Sequence, residues 1–232
     1  MNSERYTRQI MLPEIGQEGQ RRLSAASVLI VGIGGLGSAA ALYLTGAGIG
    51  RIGLADADIV SESNLQRQTL YTEKQIGTPK TEAAQERLAA FSSYTRFDYY
   101  PQDITAGNAP DIIQKYDLIL DCCDNFPTRY LLDEICTAYG KPWVYGSIGE
   151  FCGQVSIFNY RSGRRYSGLY PDKENLCNTP RITSGVLGTV PGVVGTIQAS
   201  EAIKLLAGFG DLMDGKLFTI NLQTLQTEII DF

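Results

Sequence analysis

The chain has 232 residues, 20 Lys and Arg against 25 Asp and Glu, and a formal charge of −5. That length buries one substantial core, and the even spread of apolar residues predicts a single domain over residues 1–232. No basic cluster is present, so nucleic acid and anionic membrane are excluded as partners, while the absence of histidine excludes every Ser/His or Cys/His dyad.

The opening, MNSERYTRQIMLPEIG, is charged throughout and has no long apolar run, so neither a secretory signal nor a membrane span is expected, and the expected location is cytoplasmic. Residues 1–25 read as a polar helical arm interrupted at Pro13 and Gly16. Val28 to Val31 is a continuous apolar run ending in glycine, which suits a strand buried on both faces. A small-residue helix from Leu36 to Thr45 and a strand from Arg51 to Ala55 complete a βαβ unit. Thr78 and Pro79 read as the cap and first turn of a helix running to Phe91. Strands are expected at 95–100, 116–121 and 143–145, with a helix at 126–139 between the last two. This alternation predicts an α/β fold with a doubly wound, Rossmann-like, mostly parallel sheet. After Gly149 the pattern changes: 154–160, 216–222 and 227–230 read as antiparallel strands, and 193–206 as helix. Residues 161–185 form a long polar stretch, expected to be a mobile working loop. The five cysteines, at 122, 123, 136, 152 and 177, are odd in number and irregularly spaced, so they are expected to be reduced.

The chemistry starts at Gly32-Ile33-Gly34-Gly35-Leu36-Gly37, between the first strand and its helix. Backbone N–H groups of Gly34, Gly35, Leu36 and Gly37 would face a phosphate at the helix start. Asp56, at the end of the second strand, would accept from ribose hydroxyls. To this point NAD and ATP fit equally. The following stretch carries Asp58, Ser63, Asn64, Arg67 and Gln68, and then Lys80. An amide and two cations exceed what a dinucleotide pyrophosphate needs and suit a triphosphate, although Arg67 and Lys80 taken singly also read as ordinary surface residues.

Taken together, Arg8-Gln9, the glycine turn, Asp56-x-Asp58, Ser63-Asn64-Leu65-Gln66-Arg67-Gln68, Gly77-x-Pro79-Lys80, Asp121-Cys122-Cys123-Asp124-Asn125 and Gly185-Val186-Leu187-Gly188 resemble the ThiF/MoeB/HesA adenylyltransferases, bacterial relatives of ubiquitin-activating enzymes. The resemblance spans nearly the whole chain and is strongest to the ThiF type. It implies ATP with Mg²⁺ at the glycine turn, Asp56 on the ribose, Asn64, Arg67 and Lys80 around the phosphates, and Asp124 near the metal with Asn125 beside it. It also implies a homodimer in which Arg8 reaches the neighbouring subunit's ATP. The implied partner is a ubiquitin-like sulfur-carrier protein ending in Gly-Gly, ThiS-like in thiamine thiazole synthesis or MoaD-like in molybdopterin synthesis. With no rhodanese-like extension in the chain, a separate sulfur donor protein is expected. A C-terminal carboxylate is already ionised at neutral pH, so its attack on phosphorus needs no general base, in keeping with the missing histidines.

Two departures from the family pattern stand out. Where many relatives carry two Cys-x-x-Cys pairs for zinc, Arg165-Tyr166-Ser167-Gly168-Leu169-Tyr170-Pro171 and the tail 221–225 contain no cysteine, so no zinc is expected. The loop cysteine of many relatives falls on Arg181 here, with Cys177 four residues earlier. Cys177 is the candidate nucleophile for a covalent carrier link, and a non-essential loop thiol is its plain alternative. An NAD-dependent oxidoreductase and a non-catalytic carrier-binding scaffold are the competing readings from other classes.

Overall fold

Val28, Leu29 and Ile30 are fully buried and Val31 nearly so, because the strand they form, β1 (Ser27–Val31), is covered on both faces. The computed structural model describes residues 4–179 and 185–232. Two short helices, α1 (Thr7–Ile10) and α2 (Gly16–Ala25), precede β1. α3 (Gly35–Ala47) follows, closed by Gly48 at φ 85°, and leads into β2 (Arg51–Ala55). Then come α4 (Lys80–Phe91), β3 (Arg96–Tyr100), α5 (Ala109–Ile113), β4 (Leu118–Asp121), α6 (Phe126–Ala138) and β5 (Trp143–Gly149).

β1 pairs in parallel with both β2 and β4, with β3 outside β2 and β5 outside β4. Three antiparallel strands, β6 (Cys152–Phe158), β7 (Lys216–Asn221) and β8 (Gln226–Asp231), extend the sheet beyond β5. The order β3-β2-β1-β4-β5-β6-β7-β8 reverses direction between β1 and β4, and at such a switch point the loops leaving the strands diverge and open a crevice. α9 (Thr189–Ala207) packs with α3 on one face of the sheet, where Ile30, Leu44, Val194 and Ala202 are buried together. On the other face Ile113, Leu132, Trp143 and Phe158 form a second core. Among the described residues no helix is long and apolar enough to cross a membrane.

Two local differences from the sequence expectations have physical reasons. α4 opens at Lys80, with Pro79 rather than Thr78 in the cap position. The chain is held extended there: Ile59 and Pro79 form a β-bridge, Thr78 O accepts from Val60 N at 2.9 Å, and Lys80 N donates to Asp58 O at 2.9 Å. Within the polar stretch 161–179 lie two helical turns, α7 (Tyr166–Leu169) and α8 (Lys173–Asn178). α7 is pinned by the buried carboxylate of Asp133, which accepts from Tyr166 N at 2.9 Å, Ser167 N at 3.3 Å and Arg165 Nη2 at 3.1 Å. The Tyr166 ring is fully buried against Trp143, Tyr145 and Tyr170. Arg181 lies outside the described residues.

Candidate active site

The glycine turn is shaped by the strand ends around it. Gly32 has φ 89°, and a Cβ there would stand 2.6 Å from Cys122 O, so the crossing of β1 past the end of β4 needs glycine. Gly35 lies under Pro191 of α9 and near Arg67 O, and Gly34 faces the Gln68 amide. No side chain caps α3, so the N–H groups of Gly35, Leu36 and Gly37 at its first turn form a donor set for an anion. Tyr71 OH donates to Ile33 O at 2.7 Å and closes the turn from the other side.

Asp56 is locked onto this turn. One carboxylate oxygen accepts from Ile33 N at 2.7 Å and the other from Asp58 N at 2.9 Å. Burial pushes the Asp56 carboxyl above its ordinary value, against the opposing pull of the Lys80 charge and the two N–H groups. Lys80 is 4% exposed, and its Nζ lies 2.7 Å from Asp58 Oδ2 and 3.8 Å from Asp56 Oδ2. The extended backbone at Pro79 aims this side chain at the turn, so glycines, carboxylates and ammonium are assembled by the paths of β1, β2 and the start of α4.

The segment between Asp58 and Lys80 folds over the same turn. Asn64 sits in a 3-10 turn (Glu62–Asn64), where its side chain accepts from Ser61 N at 3.3 Å. Arg67 Nη1 donates to Ser63 O at 2.9 Å, which keeps the guanidinium against its own loop. Gln68 is buried, and its Oε1 has no hydrogen-bond partner among the described residues. From the other side, Cys122 N donates to Val31 O at 2.9 Å, bringing the β4–α6 turn and with it exposed Asp124 alongside Gly32. Asn125 caps α6, its Oδ1 accepting from Thr128 N at 2.9 Å.

Two expected residues are not gathered here. Arg8 is exposed on α1, and its neighbour Gln9 donates to Ala47 O at 3.1 Å, at the C-terminal end of α3. The glycine turn is at the other end of that helix, about 18 Å away at 1.5 Å per residue. Cys177 is half-buried on α8 and packs against the second core, beside Tyr130 of α6. Cys122, Cys123 and Cys136 are buried, and burial pushes all three thiols up. Among the described residues no group of three or more Cys, Asp or Glu side chains could hold a metal ion.

The sequence reading passed over a buried ion pair beneath this site. Arg129 Nε donates to Asp121 Oδ2 at 3.1 Å, and both side chains are almost fully buried. Burial pushes the Asp121 carboxyl up, with Arg129 pulling against it; for Arg129 burial acts downward, and the Asp121 charge overrides it. The signal was present in the sequence, because Arg129 shares a helical stripe with Leu132, Asp133 and Cys136, where a solvent-facing arginine has no place.

The chain as a whole has known relatives. The chain is 44% identical over 220 residues to a sulfur carrier protein adenylyltransferase of Thermus thermophilus, spanning 92% of this chain and 81% of that one. It is 41% identical to a probable molybdopterin-synthase adenylyltransferase of Porphyra purpurea, covering 97% of this chain and 59% of the relative. It is 43% identical to the mouse adenylyltransferase and sulfurtransferase MOCS3, covering 92% of this chain and 46% of the relative. The chain thus spans about half the length of these last two relatives. Among solved structures, E. coli MccB with ATP superposes with a TM-score of 0.88 at 22% identity, over 99% of this chain and 72% of that one, a likeness of fold. The model of the ThiF family matches residues 6–232, and the chain belongs to that family.

Proposed function

We propose that the chain is an ATP-dependent adenylyltransferase that activates the C-terminal Gly-Gly carboxylate of a ubiquitin-like sulfur-carrier protein. The observation that carries this reading is the buried Lys80 ammonium held between two carboxylates at the mouth of a glycine turn, on a chain 44% identical to an enzyme named for this reaction. The competing oxidoreductase reading gives Arg67, Lys80 and Asp124 no task.

In the proposed reaction a carboxylate oxygen attacks the α-phosphorus, the bond to the bridging oxygen of the β-phosphate breaks, and pyrophosphate leaves an acyl-adenylate. Asp56 holds the ribose. The first-turn N–H groups of α3, with Asn64, Arg67 and Lys80, receive the phosphates and offset the charge that gathers as two anions meet. Ser63 and Gln68 support the loop over the turn, with Asp58 serving Lys80. Magnesium takes one or two carboxylates plus phosphate oxygens, a donor set that Asp124 beside the turn fits, with Asn125 fixing the adjoining helix start. Bound there, the metal would neutralise the leaving pyrophosphate. Arg8 is too far along α3 to serve its own site, which favours a homodimer in which it reaches the partner's nucleotide.

The thiamine-type carrier is our first assignment, and the molybdopterin type, supported by the name of one relative, is the second. Mixing the protein with ATP, magnesium and each carrier type, followed by mass spectrometry, tests both: the acyl-adenylate of one carrier identifies reaction and partner. Absence of any adenylate with both carriers, with nucleotide bound, would leave the scaffold reading instead.

A further inference from the structure

Asp124 follows a turn whose backbone is fastened on both sides of Cys123. Cys123 N donates to Asp121 Oδ1 at 3.0 Å, and Cys123 O accepts from Arg129 Nη2 at 3.0 Å. That carbonyl belongs to the peptide that begins Asp124, so the arginine sets the plane from which the carboxylate departs. The same Nη2 also donates to Gly146 O in β5 at 3.2 Å, while Arg129 Nε holds Asp121. From the far face of the sheet, Gln198 Nε2 donates to Asp121 O at 2.7 Å. Gly146 lacks a side chain because the Gln198 amide occupies that space. One buried guanidinium therefore ties the end of β4, the turn carrying Asp124 and the backbone of β5 into one unit.

We propose that Arg129 is a positioning residue for the magnesium–nucleotide complex, acting through the peptide between Cys123 and Asp124. A fork is required for this task. Lysine at 129 would keep a positive charge beside Asp121, but a single ammonium does not reproduce the planar donor geometry that spans carboxylate and both carbonyls. The inference rests on the proposed role of Asp124 at the metal, and its test separates the two.

Arg129→Lys, Asp124→Asn and the double variant are compared with the wild type by melting temperature, by binding of a non-hydrolysable ATP analogue without metal, and by Mn²⁺ binding to the analogue complex followed by electron paramagnetic resonance. The expected result for Arg129→Lys is an affinity for Mn²⁺ lowered about 10-fold or more, the usual consequence of losing a partner behind a metal ligand. Metal-free analogue binding should stay within about twofold, because the glycine turn and Asp56 do not touch Arg129. In the Asp124→Asn background the same substitution should add almost nothing, the mark of two residues acting as a unit. Should Arg129→Lys fail to fold, Gln198→Leu loosens the same strand end from the other face and should reproduce the Mn²⁺ defect in weaker form. Wild-type Mn²⁺ affinity in a folded Arg129→Lys, or equal loss with and without metal, overturns the proposal. If Asp124→Asn itself binds Mn²⁺ normally, the metal role of Asp124 falls, whatever Arg129 does, and the proposal falls with it; a defect in Asp124→Asn alone leaves that role standing while removing Arg129 from it.

Discussion

Replacing Gly32 and Gly34 separately by alanine distinguishes a glycine needed for folding from one needed for the ligand. At Gly32 the φ of 89° strains any side chain, and the new Cβ would be 2.6 Å from Cys122 O, a backbone atom that moves only if β4 moves. Strain at such a φ costs about 1–3 kcal/mol and overpacking against backbone about 1–3 more, so roughly 4 kcal/mol is expected in all. For a chain of this size that lowers the melting temperature by about 8–16 °C. At Gly34 φ is −78° and the nearest atom to a new Cβ is Gln68 Nε2 at 3.7 Å, an ordinary contact. The unliganded Gly34→Ala protein should therefore melt within about 2 °C of the wild type. Its methyl, however, stands beside the first-turn donors of α3, and loss of a charge-assisted hydrogen bond there, about 1.5–3 kcal/mol, weakens ATP binding about 10- to 150-fold. Thermal melts with and without ATP and magnesium read both effects, since wild type at a hundredfold excess over Kd gains about 2.7 kcal/mol. A Gly34→Ala protein that keeps the full ATP-dependent rise, or loses as much unliganded stability as Gly32→Ala, would refute this account of the turn.

Other outcomes follow from the same geometry. Lys80→Ala and Arg67→Ala should each lower carrier-dependent ATP–pyrophosphate exchange by about 10²-fold or more while remaining folded by circular dichroism; wild-type exchange in both removes the phosphate assignment. The raised pKa of Asp56 fixes a direction with pH. Its ionisation is disfavoured in the fold, so its contribution to stability is full below the unfolded value and lost as pH rises through the folded one. Ribose binding uses the ionised form, so KM for ATP should fall across that same rise, with Asp56→Asn abolishing the step; a profile unchanged in the variant counts against the assignment. If Arg8 serves the partner's site, mixed Arg8→Ala and Lys80→Ala subunits should recover about a quarter of wild-type activity, since half the dimers are mixed and each holds one intact site. No recovery after verified subunit exchange would place Arg8 elsewhere. Cys177→Ala should keep pyrophosphate exchange and lose sulfur incorporation; full sulfur transfer would make it a non-essential thiol.

The parallel half of the fold was readable because its signals are local. An apolar run that ends in glycine defines β1 wherever it occurs, and the spacing from Gly37 to Asp56 is the length of one helix and one strand. The α7 turn was missed because its determinant is distant, whereas α5 and α8 carry local start signals that the sequence reading did not use, Pro110 in the first turn of α5 and the Asp172 cap that accepts from Asn175 N in α8. α7 is specified by Asp133, which lies 33 positions before Tyr166, and no window around α7 contains that carboxylate. Arg129 was missed for a related reason. Its partners are a carbonyl and a carboxylate before it and a carbonyl in β5, so its role exists only after three elements have come together. Lys80 was found by motif, yet its burial depends on Pro79 being drawn into a bridge with Ile59, a pairing that helix-start rules do not anticipate.

The pairing of Lys80 also bears on how the site changes hands between empty and loaded states. A buried ammonium needs a counter-charge, and here two are offered on unequal terms. The Asp56 side chain is 9% exposed and engaged by Ile33 N and Asp58 N, whereas the Asp58 side chain is 73% exposed and meets Lys80 from the solvent side. Releasing Asp58 into water therefore costs little, and releasing Asp56 would leave a desolvated carboxylate behind. An arriving phosphate should displace Asp58 and leave Asp56 in place for the ribose. On that argument Asp58→Asn loses far less pyrophosphate exchange than Asp56→Asn, measured at saturating carrier. Equal losses in the two variants would mean that Asp58 acts on the nucleotide itself rather than holding Lys80 until it comes.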